Sequence, residues 1–152
     1  MLAYRVEKEK YVPSVLNGMP GEVASFRWNT KGHPIIYASE SRSLALHEKG
    51  GNMSKPFYGL PAFYVLVAIE LPDAPYRKIF PEDLPEGWNR VEAYHQATQE
   101  IGGQFTSSDE LAIFVPSTIV RGEFNVLVNP RIALEQDLPV SVEQIDARLQ
   151  HG

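Results

Sequence analysis

The sequence predicts a mixed α/β (α+β) fold built on a mainly antiparallel sheet. Short apolar runs outnumber helical segments, and the two kinds of segment do not alternate in the regular way that a doubly wound parallel sheet requires. The runs Leu2 to Val6, Ile35 to Ala38, Phe63 to Leu71, Ala112 to Val115 and Val126 to Val128 are rich in Val, Ile, Phe and Tyr and bounded by Gly, Pro or Asn, so each reads as a buried strand. A helix is expected after Ser41 or Ser43 as N-cap, through Leu44, Ala45 and Glu48 to a stop at Gly50-Gly51. The stretch from Lys49 to Ala62, with Asn52, Ser54 and Tyr58 among its glycines and prolines, reads as a long loop of the kind that serves as a lid. Val91, Tyr94, Ala97, Thr98 and Ile101 recur at helical spacing and run into Gly102-Gly103, which is expected to end that helix. A third helix is expected at the C-terminus, where Ser141-Val-Glu-Gln144 has capping-box spacing ahead of Ile145 and Leu149.

With 152 residues, 43% of them hydrophobic, the chain suits one compact core, so residues 1–152 are read as a single domain. A net charge of −5 with acids and bases interspersed argues against direct nucleic-acid binding. Cysteine is absent, which removes disulfides, thiolate nucleophiles and thiolate metal sites and fits a reducing cytoplasm. The N-terminus brings charge at Arg5 and again at Glu7 to Lys10, unlike a signal core, and the longest apolar run is far shorter than a membrane span of roughly 20 residues, so neither secretion nor a membrane is expected. Phosphate loops, paired-glycine dinucleotide fingerprints, nucleophile elbows and two-histidine zinc helices are all missing from the sequence. His33, His47, His95 and His151 lie in separate segments without ligand spacing, so no metal is expected.

Three clusters remain, and their order is informative. The first is Phe26-Arg27-Trp28-Asn29-Thr-Lys-Gly32. The second joins Ile36-Tyr37-Ala38-Ser39 to Leu44-Ala45-Leu46-His47-Glu48. The third is Val115-Pro116-Ser117 with Glu123-Phe-Asn125 and Val128-Asn129-Pro130. Together they resemble the RES domain, a family named for an arginine, a glutamate and a serine, over the stretch from about Tyr4 to Pro130. The resemblance implies a split-sheet fold similar to NAD-dependent ADP-ribosyltransferases. It also implies a toxin that consumes NAD and is neutralised by a cognate Xre-type antitoxin. The chain departs from the family's pattern in two places: Phe26 stands where a glycine usually precedes the arginine, and Arg131 follows Asn129-Pro130 where a histidine is common.

On that reading Glu48, Arg27 and Tyr37 are the catalytic candidates. Cleavage of the nicotinamide bond builds positive charge on the ribose, and a carboxylate such as Glu48 stabilises it electrostatically. Arg27 offers a planar, permanently charged fork for the diphosphate, and Arg5 is a second candidate for it. Tyr37 presents a ring face or a hydroxyl to the ligand, its alternative being a place in the core. Ser39 accompanies it at the cofactor site. Ser117 either donates a hydrogen bond to ribose or phosphate or caps the next turn. Asn29, Asn125 and Asn129 are expected to brace turns, the first two beside the cofactor, and Asn125 to hold Glu123 or a site loop. Trp28 and Trp88 are read as core or interface anchors. The competing function is a catalytically silent binding domain that acts through its partner, because fold alone does not fix function.

Overall fold

The structure is a computed structural model, and it describes residues 1–18, 25–51, 63–90 and 96–145. In chain order the elements are β1 (Leu2–Lys8), a 3-10 helix (Glu9–Asn17), β2 (Ile36–Ser39), α1 (Arg42–Gly51), β3 (Tyr64–Glu70), β4 (Arg77–Lys78), a 3-10 turn (Pro81–Asp83), α2 (Gln96–Thr106), β5 (Ala112–Pro116), β6 (Phe124–Val128), α3 (Pro130–Gln136) and β7 (Val140–Gln144). The strands lie in the order β4-β5-β6-β2-β1-β3-β7. All neighbours are antiparallel except β4 and β5. The mixed, mainly antiparallel fold expected from the sequence is therefore the observed one, and all five apolar runs are strands.

The sheet is split. β1 pairs with β3 along its whole length, from Leu2↔Glu70 to Lys8↔Tyr64, and β2 pairs with β6 from Ile36↔Val128 to Ser39↔Asn125. Between β1 and β2 the register holds at one position only, Tyr4↔Ser39. Strand alternation then sorts the side chains into three clusters. On one face Ala3, Ile36, Ala38, Val65, Val67, Val126 and Val128 form a core that crosses both halves and is covered by Val15, Ile132 and Ala133. On the other face the cover is divided. Tyr4, Val6, Leu66 and Ala68 pack against Ala45 of α1, whereas Ile113, Val115 and Leu127 pack against Trp28, Trp88 and Phe105. The expectation that the tryptophans are core anchors holds.

α1 starts where expected, with the Leu44 N–H donating to the Ser41 hydroxyl at 3.1 Å. Its first residue ties it to the β1-β3-β7 half: the Arg42 guanidinium holds both carboxylate oxygens of Glu143 on β7 at 2.7 Å and lies 4.6 Å from the Tyr4 ring centre. Most of the long loop expected after α1, residues 52–62, lies outside the described residues, as does the start of the helix expected from Val91.

Two expectations are corrected. Gly102-Gly103 does not end α2, which continues to Thr106. The glycine serves a close approach instead, because a Cβ on Gly102 would lie 1.6 Å from the Trp28 carbonyl oxygen. Ser141 to Gln144 is strand β7 rather than a helix start, in register with β3 from Val65↔Gln144 to Ile69↔Val140. The capping-box spacing yields there to the open edge of β3, whose backbone groups need a partner. Among the described residues no helix is long and apolar enough to cross a membrane.

Gly102→Ala is expected to destabilise the protein by about 3 kcal/mol or more, since backbone must move to admit one methyl group; a urea midpoint equal to wild type would contradict the close packing. The hydrogen bond from Arg42 holds the Glu143 carboxyl below the ordinary glutamate range. A carboxyl lowered in the folded state stabilises above its unfolded value and loses that effect as pH falls through the folded one. Glu143→Gln is thus expected to lower the melting temperature at neutral pH, with the gap closing in acid; a gap that stays constant with pH would contradict the pairing.

Candidate active site

The residues singled out in the sequence assemble into two groups, one reaching β2 at Ser39 and the other at Tyr37. The first is centred on Glu48, near the C-terminal end of α1. Its Oε1 accepts a hydrogen bond from the Ser117 hydroxyl at 2.6 Å and another from the Asn125 side-chain amide at 2.8 Å. These partners come from the β5-β6-β2 half. Ser117 directly follows β5, and Asn125 stands on β6 opposite Ser39 at the end of β2.

The direction of each bond follows from what its donor already does. Ser117 Oγ accepts the main-chain N–H groups of Ile119 and Val120, both at 3.0 Å. Both lone pairs are then in use, and the hydroxyl proton is left for the carboxylate. Ser39 donates to Asn125 Oδ1 at 2.8 Å, which turns the amide nitrogen of Asn125 toward Glu48. Two donors on one oxygen, one of them a hydroxyl at short distance, fix the position of the Glu48 side chain. Among the described residues no hydrogen bond reaches Oε2.

Ser117 caps the turn, as one of its two readings had it, and its hydroxyl donates to Glu48. Asn125 braces Glu48, not Glu123. Ser39 is one bond further out, orienting Asn125.

The second group lies around the turn from Phe26 to Asn29. The Tyr37 hydroxyl donates to Asn29 Oδ1 at 2.5 Å and accepts the Trp28 N–H at 3.2 Å, while its ring meets Phe26 edge-on with centres 6.0 Å apart. Phe26, at the position where a glycine was anticipated, therefore packs on Tyr37. Asn29 is buried and also donates to the Thr30 carbonyl. Arg27 directs two terminal nitrogens at the main-chain carbonyls of Trp88 and Arg90, at 2.5 and 2.7 Å. Thr98 and Gln99 of α2 bind the carbonyls of Arg27, Phe26 and Asn29 from behind. In this arrangement Arg27 fastens the turn to the segment after Trp88.

Arg5 lies at the split itself. Its Nε and one terminal nitrogen grip Glu7 Oε2 at 3.2 and 2.8 Å, and the other terminal nitrogen donates to the Tyr37 carbonyl at 2.7 Å. That carbonyl is on the edge of β2 where β1 has turned away, so the guanidinium supplies a bond that the ladder no longer makes.

The sequence reading passed over Glu7 and Lys49. Glu7 was foreseeable, because residues i and i+2 of a strand share a face and Arg5 and Glu7 have that spacing. Lys49, beside Glu48 in the chain, is half-buried, with its ammonium 4.9 Å from the Tyr64 ring centre. Burial lowers its pKa; nearby Glu7 opposes that shift, and Arg5 and Lys8 add to it. A cavity of about 520 Å³ is bordered among the described residues by Lys8, Glu9, Lys10 and Phe63. A smaller one of about 240 Å³, between Gly32, Thr106 and Arg131, is unconnected with Glu48, and Arg131 is occupied there with the Ser108 carbonyl at 2.7 Å. No group of three or more metal-ligating side chains occurs among the described residues.

A split, mainly antiparallel sheet, bridged by a helix whose glutamate is anchored by a hydroxyl and an amide from the far half, defines a mixed α/β protein with an acidic side chain fixed across the split. The model of the RES domain family matches residues 2–150, and the chain belongs to that family. Curated relatives agree. It is 34% identical to Toxin Res of Yersinia enterocolitica over 132 residues, covering 86% of this chain and 85% of that protein. It is 36% identical to the Prs ADP-ribosylating toxin of Sphingobium sp. strain YBL2 over 124 residues, covering 79% and 75%. Toxin Res of Pseudomonas putida is 32% identical over 137 residues, covering 88% and 92%.

Ser117→Ala strips the N–H groups of Ile119 and Val120 of their acceptor and Glu48 of one donor. Its expected cost is about 1–3 kcal/mol. Ser39→Ala, which only loosens the amide, is expected to cost less; denaturant unfolding of both variants checks the order, and a Ser117→Ala midpoint at or above that of Ser39→Ala would contradict it.

Proposed function

We propose that this protein is a toxin that consumes NAD by breaking the bond between nicotinamide and ribose. The observation that carries the reading is the fixed carboxylate of Glu48 at the split. In the reaction the C–N bond breaks, its electron pair stays on the nicotinamide nitrogen, and the ribose carbon becomes electron-poor. An oxygen nucleophile then adds to that carbon and gives up its proton. Glu48, with Oε1 tied to Ser117 and Asn125, keeps Oε2 for the ribose hydroxyls and stabilises the developing charge without forming a covalent bond. Because the anchors are already in place, little reorganisation is needed as the charge appears.

The relatives support the same chemistry, since one of them is named an ADP-ribosylating toxin and others are named toxins. Arg5, with donors left over at the split, suits the diphosphate better than Arg27, whose guanidinium holds the Trp88 and Arg90 carbonyls. The site works in the cytoplasm, where NAD is made and used, and a cognate antitoxin of the Xre type covers it until the toxin is released. DNA binding by such a complex falls to the antitoxin, given the net charge of −5 here. The acceptor of ADP-ribose is water, phosphate or a protein side chain.

The test is NAD consumption by purified wild type and Glu48→Gln, with and without phosphate and with cell protein, the products being separated. Wild type is expected to consume NAD, and Glu48→Gln to retain its fold and lose about 100-fold or more of the rate. Product identity names the acceptor. Equal rates, or no consumption under any condition by folded wild type, would overturn the proposal and favour a silent binding domain. Adding antitoxin is expected to stop consumption; a complex as active as the free toxin would overturn the covering role.

A further inference from the structure

Ser39 is buried, 3% exposed, at the one point where the two halves of the sheet meet in register. Residues directly opposite one another in neighbouring strands share a face. Tyr4 of β1, Ser39 of β2, Asn125 of β6 and Val115 of β5 therefore stand in one row across the split. α1 covers that face, since Ala45 packs with Tyr4, and Glu48 lies three residues further along the same side of the helix. Just past the row, the Glu40 N–H donates to the Phe124 carbonyl at 3.3 Å and the Glu40 side chain accepts the Phe124 N–H at 3.0 Å, which keeps Ser39 opposite Asn125.

The row leaves the Asn125 amide one way to complete its hydrogen bonds. Nδ2 donates to Glu48 Oε1 at 2.8 Å, and Oδ1 accepts the Ser39 hydroxyl at 2.8 Å. On its other side Asn125 meets Val115, whose side chain has no polar group, and among the described residues the Ser39 hydroxyl makes no other hydrogen bond. The two ends of an amide are nearly the same in shape and opposite in polarity. Without the hydroxyl, holding Nδ2 against Glu48 would leave the amide oxygen unpaired in a half-buried place, a cost that competes with the bond to Glu48.

We infer that Ser39 is a positioning residue for the proposed reaction, acting through Asn125 on Glu48 without touching the ligand. The inference rests on the role given to Glu48 above, and it departs from the expectation that Ser39 binds the cofactor. The two donors on Oε1 differ in what holds them. Ser117 is tied by the N–H groups of its own turn, whereas Asn125 is aimed only while Ser39 supplies a proton to its other end. Ser39 then governs the rate of bond cleavage rather than the grip on NAD, because a carboxylate that stabilises developing charge acts in the transition state.

The experiment measures kcat and KM for NAD in wild type, Ser39→Ala, Asn125→Ala and the double variant, with thermal unfolding to confirm that each is folded. Ser39→Ala is expected to lower kcat about tenfold and to leave KM within about twofold of wild type. In the double variant the loss of Ser39 is expected to cost nothing beyond Asn125→Ala, because the group it acts on is gone. Unchanged kcat would overturn the inference, and a raised KM beside it would make Ser39 a ligand contact. A double variant slower than Asn125→Ala would overturn it by giving Ser39 another route. The side-chain amide signal of Asn125 in heteronuclear NMR, identified by its loss in Asn125→Ala, reads the same link without turnover. It is expected to shift on Glu48→Gln when Ser39 is present and to ignore that change in Ser39→Ala. This pattern in a protein that consumes no NAD would sustain the positioning and sink the enzyme; a signal that follows Glu48→Gln with or without Ser39, or in neither case, would overturn the positioning.

Discussion

The structure turns on the single register pair between β1 and β2. Had the two strands zipped along their length, the sheet would be continuous and the edge of β2 sealed. Because they meet only at Tyr4 and Ser39, main-chain groups come free at the split and side chains take over their partners. Arg5 does so on the Tyr37 carbonyl. The two halves stay together through the core on the opposite face, which runs unbroken beneath the split from Val65 and Val67 to Val126 and Val128.

α1 is the other link. Its first turn is fixed to one half by Arg42, held between Glu143 and the Tyr4 ring, and its last turns reach the other half through Glu48. A carboxylate at the far end of a helix anchored in this way has little freedom, and its hydrogen bonds to Ser117 and Asn125 remove what remains. A side chain held by two donors on one oxygen is fixed in place, which supports the proposed reaction with its cationic transition state. The same helix places Lys49 one residue on, with its ammonium over the Tyr64 ring.

The strands were legible because their apolar runs are buried on both faces, and α1 because Ser41 caps it as such residues do. β7 was not, since Val140-Ser-Val-Glu-Gln144 is half polar and takes its form from the bare edge of β3. The continuation of α2 through Gly102 likewise depends on the Trp28 carbonyl pressed against it, a contact between distant parts of the chain. At the site, the motif clusters named Glu48, Ser117, Asn125 and Ser39 without saying what each would touch. Those bonds join residues 69 and 77 positions apart, and local pattern has no access to such pairings. The attachment of Arg27 to the Trp88 and Arg90 carbonyls was hidden for the same reason, as was the place of Lys49 over the Tyr64 ring.

The central claim is that Oε2 of Glu48 meets the ribose next to nicotinamide. The most direct measurement is a crystal structure of Glu48→Gln with NAD bound, in which turnover is blocked and the substrate stays whole. The account predicts the nicotinamide ribose hydroxyls within hydrogen-bonding distance of the position of Oε2, with Ser117 and Asn125 still on the other side-chain atom. NAD seated away from residue 48, in the cavity by Arg131 for example, would contradict it.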